Sequence, residues 1–95
     1  MLATEIEIQN VAELRNLVYQ ILCEHEQLEP GVFPMTERIL NRGGRPCGMY
    51  FCLHGPRNVT YTSIWETDGN TILFYGHMGQ RFRRTVLARA PQLTA

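Results

Sequence analysis

Turn signals constrain this chain more than any other feature. Gly43-Gly44, Gly55-Pro56-Arg57-Asn58, Asp68-Gly69 and Gly76-His77-Met78-Gly79 cut the second half into strand-length pieces. The pieces at 47–54 (CGMYFCLH), 59–67 (VTYTSIWET) and 70–76 (NTILFYG) are rich in aromatic and β-branched residues. Such side chains pack well on a pleated surface. Turns this short join antiparallel neighbours, because a parallel pair needs a crossover of about a dozen residues or more. Gly43-Gly44 and Asp68-Gly69 are two-residue hairpin signals, the second of type I′. Residues 35–42 open the meander. Residues 80–87 (QRFRRTVL) alternate as a closing strand, although Phe82, Val86 and Ala90 also suit a short helix; the strand is the preferred reading.

The first third has a different period. Residues 4–9 (TEIEIQ) alternate polar and apolar and predict a short strand, with Ile6 and Ile8 on one side. Asn10 offers a helix N-cap, and Glu13 stands three residues on, at the capping-box spacing. Leu14, Leu17, Val18, Ile21, Leu22 and Leu28 then recur every three or four residues. They form one apolar stripe along a helix over 10–28. His25 falls on the same stripe near its end, and Pro30-Gly31 stops it. The expected fold class is α+β: an N-terminal strand and one amphipathic helix packed on an antiparallel meander of four to five strands (35–87), in a single domain of 95 residues.

A register follows from the turns. A four-residue loop at 55–58 pairs His54 with Val59, Cys52 with Tyr61 and Tyr50 with Ser63. The Asp68-Gly69 turn sets Trp65 opposite Ile72 and Ser63 opposite Phe74. One face then carries Tyr50, Cys52, His54, Val59, Tyr61, Trp65, Ile72 and Phe74. The other carries Met49, Phe51, Leu53, Ile64, Leu73, Tyr75 and Phe82. Both faces are apolar, and one helix covers one face. Assigning the aliphatic set to the helix leaves Tyr50, Tyr61, Trp65 and Phe74 open, and an uncovered patch of that kind marks an interaction site.

The residue inventory removes several chemistries. With no lysine there is no Schiff base and no phosphate-binding P-loop. Ser63 is the sole serine and falls mid-strand; Asp68 is the sole aspartate and falls in a turn. Neither position suits a catalytic triad. Cys52 and His54 share a strand face, which makes them the nearest approach to a thiol–imidazole pair or a metal-ligand set. Cys47, His77, Cys23 and His25 complete the pool of soft ligands, with no C-x-x-C or H-x-x-x-H spacing among them. A turn between strands accounts for the CLHGPRNV stretch. No cofactor is implied and the chain reads as non-enzymatic.

Charge is unevenly spread. Residues 1–37 hold seven acids and one base; residues 38–95 hold eight arginines against Glu66 and Asp68, with a formal net charge of zero. This describes an acidic helix face beside a sheet with arginines at its turns, or a dipole that favours head-to-tail association or an anionic partner. The N-terminus is acidic and lacks the basic region of a secretory signal. No apolar run reaches the ~18 residues of a membrane span. Three cysteines do not make a disulfide framework, so reduced thiols and a cytoplasmic setting are expected.

The functional expectation is self-association or protein binding through the aromatic face. Tyr50, Tyr61, Trp65 and Phe74 would anchor it, with Arg57, Arg81 and Arg83 at its rim. The alternative is single-stranded nucleic acid, or another anion, held by the same aromatics and arginines.

The segments HGPRNV, IWETDGN and LFYGHMGQRF resemble a group of short, uncharacterised bacterial proteins with a similar meander, over roughly residues 45–85. The resemblance implies a similar fold and brings no activity. The strand–helix–meander order also resembles small immunity proteins of toxin systems, on topology alone.

Overall fold

The computed structural model describes residues 5–6, 8–88 and 91. One helix, α1 (Val11–Glu26), lies on a sheet built from β1 (Glu5–Ile6), β2 (Met35–Arg42), β3 (Arg45–His54), β4 (Thr60–Glu66), β5 (Thr71–Tyr75) and β6 (Arg81–Leu87). Strands β2 to β6 follow one another in space as in sequence, each antiparallel to the next. β1 adds to β6 in parallel, Glu5 against Val86 and Ile6 against Leu87. The α+β architecture is the expected one, and residues 81–87 are strand. Of the strand expected over 4–9, only Glu5–Ile6 pairs, and residues 4 and 7 lie outside the described residues.

Helix α1 begins where Asn10 caps it. Its Oδ1 accepts from the Glu13 backbone N–H at 2.9 Å. Glu13 reaches back to the backbone N–H of Gln9 at 2.8 Å, one residue earlier than a standard capping box. The helix ends at Glu26, short of Pro30. Gln27 turns left-handed (φ 57°) and the Leu28 N–H closes on the Cys23 carbonyl at 2.8 Å. That six-to-one bond terminates a helix without a proline. The Tyr19 hydroxyl then holds the next loop, accepting from the Gly31 N–H and donating to the Phe33 carbonyl.

The hairpin turns differ from one another. Gly43 and Gly44 both take positive φ (59° and 80°), the type I′ geometry that a right-twisted hairpin favours. At 67–70 the left-handed residue is Asn70 (φ 49°), not Asp68 or Gly69, so that turn is not type I′. It nonetheless delivers the expected register, Trp65 opposite Ile72 and Ser63 opposite Phe74.

The β3–β4 register corrects the sequence expectation. Leu53 pairs with Tyr61, Phe51 with Ser63 and Met49 with Trp65. Gly55 joins the ladder, donating to the Val59 carbonyl at 2.8 Å. The loop is therefore Pro56–Asn58, one residue shorter than assumed, and Arg57 and Asn58 carry the positive φ angles that close it. A one-residue slip moves every side chain of a strand to the other face. The helix-facing side thus gathers Met49, Phe51, Leu53, Tyr61, Ser63, Trp65, Ile72 and Phe74, all buried, against Leu14, Val18, Ile21 and Leu22. Met49, Phe51 and Leu53 face the helix as expected; Ile64, Leu73 and Tyr75 do not.

Candidate sheet-face interface

Three of the expected anchors are core residues. Trp65 is 1%, Phe74 0% and Tyr61 6% exposed, all under α1. They cannot meet a partner without unfolding the layer above them. Tyr50 does lie on the open face, half-buried, between Arg38 and Ile64 in register. Arg81 is on the same face opposite Tyr75. Arg57 is exposed in the β3–β4 loop. Arg83 is opposite Phe74 on the helix side, where it lines an open cleft of about 300 Å³ with Ile21, Glu24, His25 and Phe82.

The slip changes the membership of the open face but, among the described residues, leaves it without a covering element. Following the ladders across five strands gives one continuous row: Arg38, Tyr50, Ile64, Leu73, Arg84. The row beside it reads Thr36, Cys52, Thr62, Tyr75, Arg81. Tyr50, Ile64, Leu73 and Tyr75 are each half-buried, and among the described residues no helix lies on their side of the sheet. With strands about 4.8 Å apart, the Arg38 and Arg84 backbones stand ~19 Å from each other across an apolar bar. The sequence reading missed Ile64, Leu73, Tyr75, Arg38 and Arg84. The signal for them was present: only the observed register groups Thr60 and Thr62 with Cys52 and His54 on one face and Tyr61 and Trp65 with Leu53 and Met49 on the other.

Electrostatics single out the arginines. Arg15 is bonded bidentately to Glu37 at 2.5 and 2.6 Å, and Arg42 meets Asp68 at 3.3 Å. Among the described residues, Arg38, Arg81 and Arg84 have no acidic partner. Arg38 instead lies over the Tyr50 ring, 5.4 Å from its centroid, a cation–π contact. Burial holds the Tyr50 phenol above its usual value, Cys52 adds to the rise, and Arg38 pulls weakly the other way.

Cys52 and His54 both lie on the open face, and the His54 Nε2 is bonded to the Thr36 hydroxyl at 3.0 Å. Among the described residues no three His, Cys, Asp or Glu side chains come together as a metal site. His25 is exposed rather than part of the buried stripe. Its ring stacks flat on Phe82 with centroids 3.5 Å apart, because a bulge between Phe74 and Tyr75 turns Phe82 toward the helix. Among the described residues no helix is long and apolar enough to cross a membrane. Comparisons with protein-family models, curated proteins and solved structures return no match.

Proposed function

We propose that this chain is a binding module, acting in the cytoplasm, whose open sheet face docks an acidic segment of another protein. The observation that carries this reading is the row Arg38–Tyr50–Ile64–Leu73–Arg84: apolar in the middle, cationic at both ends, with no acidic partner at either end among the described residues. Apolar centres with charged rims are the anatomy of specific interfaces. Charge also argues about the occupant. A second copy packed face to face would set arginine rims against arginine rims, and like-charge juxtaposition works against such a pairing. A partner that brings carboxylates gains at both ends of the row.

Tyr50 and Tyr75 among Arg38, Arg81 and Arg84 favour a second reading, in which single-stranded nucleic acid stacks on the tyrosines. Trp65 would not report such binding, because its ring is on the helix side of the sheet.

One experiment separates the readings. A photo-crosslinking residue is placed at Ile64 or Leu73, and as a control at Gln20 on the exposed side of α1. A discrete adduct from the face, resistant to nuclease and lost in an Arg38→Glu/Arg84→Glu variant, supports protein docking. An adduct that nuclease removes supports the nucleic-acid reading. Labelling at Ile64 and Leu73 no stronger than at Gln20 rejects both.

A further inference from the structure

We infer that the free edge of β2 pairs antiparallel with β2 of a second copy about a two-fold axis at Ile39, joining two sheets into one. The inference does not depend on what occupies the open face. The sheet has two edges. One is capped by β1, which lies against β6. The other is β2, eight residues (MTERILNR) with no strand beyond it among the described residues. Sheet edges are commonly protected by proline, charged side chains, a bulge or a short strand. β2 carries charges at Glu37, Arg38 and Arg42, but it has no proline and is eight residues long, and the irregularity near Leu40 inserts its extra residue, Cys47, into β3 and leaves β2 regular.

The ladder fixes which backbone groups are free. His54 N–H donates to the Pro34 carbonyl at 2.9 Å, which makes 34–54 a hydrogen-bonded pair. Bonded pairs alternate along an antiparallel ladder. Thr36, Arg38 and Leu40 therefore bond inward to β3, while Met35, Glu37, Ile39 and Asn41 point their N–H and C=O groups away from the sheet. Ile39 is also 43% exposed. The two other large exposed hydrophobics, Val32 and Met78, lie outside the strands.

Charge then selects the register. A two-fold axis perpendicular to the sheet keeps each face on its own side and pairs residues of like parity. An axis at Glu37 opposes two glutamates. An axis at Arg38 opposes two arginines, and one at Leu40 sets Arg38 against Arg42. Axes nearer the strand ends pair too few residues. At Ile39 the pairs are Ile39 with Ile39, Glu37 with Asn41, Arg38 with Leu40 and Thr36 with Arg42. No like charges stand opposite one another, a juxtaposition that destabilises cross-strand pairs. The outward groups of Glu37, Ile39 and Asn41 meet those of Asn41, Ile39 and Glu37 of the second copy. The Arg15–Glu37 bond helps, because it draws the carboxylate toward α1 and away from the incoming strand.

A contact of one strand pair belongs to the weak, transient class of interface, and dissociation near about 10 µM is the scale expected of it. The test is sedimentation together with amide exchange between about 5 and 500 µM. The expected result is a monomer–dimer equilibrium in which the Glu37, Ile39 and Asn41 amides gain about sixfold protection with concentration, as the free monomer falls. The Thr36, Arg38 and Leu40 amides stay protected throughout. Ile39→Pro removes an N–H that the monomer does not use, and Ile39→Lys leaves the backbone unaltered; both are expected to be monomeric with the native circular dichroism spectrum. A wild type monomeric at 500 µM overturns the inference. So does a dimer whose Glu37, Ile39 and Asn41 amides exchange freely, or one that survives Ile39→Lys. Leu73→Glu on the open face leaves the edge dimer intact, so failure here and failure of the docking reading are separately visible.

Discussion

The indole N–H of Trp65 donates to Asn70 Oδ1 at 3.0 Å. Asn70 in turn donates through Nδ2 to the Leu87 carbonyl at 3.2 Å and accepts the Leu87 N–H on its own carbonyl at 3.0 Å. One turn residue thereby satisfies the largest buried side chain and fastens β6 to the β4–β5 turn. It does so from left-handed backbone (φ 49°), which asparagine tolerates better than most residues. Asn70→Ala is expected to cost ~2–4 kcal/mol: an unpaired indole N–H accounts for about 1–3 and the left-handed alanine for about 1 more. Urea unfolding followed by Trp65 fluorescence measures it. A cost under about 0.5 kcal/mol, the range of a neutral surface change, would show that the network is dispensable.

The register separates two classes of aromatic residue, and mutation will distinguish them. Trp65→Ala empties the centre of the core and is expected to destabilise by about 3–5 kcal/mol. That is a large share of what a domain of this size holds. Tyr50→Ala and Leu73→Ala, on the open face, are expected to cost about 1 kcal/mol or less while abolishing the face-specific crosslink. Thermal denaturation of the three variants decides. Equal losses at Trp65 and Leu73 would mean that both faces are covered.

The turn chemistry made most of the fold legible, while one loop hid the site. Gly43-Gly44 and Asp68-Gly69 announce their hairpins, and the Leu14–Val18–Ile21–Leu22 stripe announces the helix. The GPRN segment reads equally well as a four-residue loop and as a three-residue loop preceded by a paired glycine. Nothing local distinguishes them, because Gly55 suits a ladder end as well as a turn. The tie is broken by the whole sheet: the better register is the one that segregates threonines from tryptophan. The bulge that turns Phe82 toward His25 had no comparable signal. It depends on packing between β6 and the end of α1, which no residue spacing encodes.

At Gly48 the β4 backbone comes too close to β3 for a side chain. A methyl group there would overlap the Trp65 carbonyl oxygen. Since that oxygen is backbone in a paired strand, it cannot rotate away. Gly48→Ala is expected to force the strands apart and to cost about 2–3 kcal/mol, at the upper end of overpacking effects. Gly44→Ala meets no atom within 4 Å; its cost is that of left-handed backbone alone, ~1 kcal/mol. Chemical denaturation of the pair gives the comparison. A Gly48→Ala protein as stable as Gly44→Ala would mean that the β3–β4 spacing is looser than the structure describes.

The three free thiols differ in burial, and this gives a pH prediction. Cys23 is 0% exposed, whereas Cys47 and Cys52 are half-buried. Burial pushes the Cys23 thiol above its ordinary 9.0, against a smaller downward pull from Tyr19. The folded state therefore favours the neutral thiol. A raised acid contributes stability that is full below its unfolded value and lost as pH rises beyond it. Stability is expected to be flat between about pH 6 and 8 and to fall above about pH 9. The Tyr50 and Tyr61 phenols, also raised chiefly by burial, extend the loss in the same direction above 10.0. Cys23→Ala should flatten the first part of that slope. Thiol labelling gives the independent reading: two labels in native protein, three in denaturant, with Cys23 reacting only as fast as the chain opens. Rapid native labelling of Cys23, or a slope above pH 9 unchanged in Cys23→Ala, would place the thiol outside the helix–sheet core.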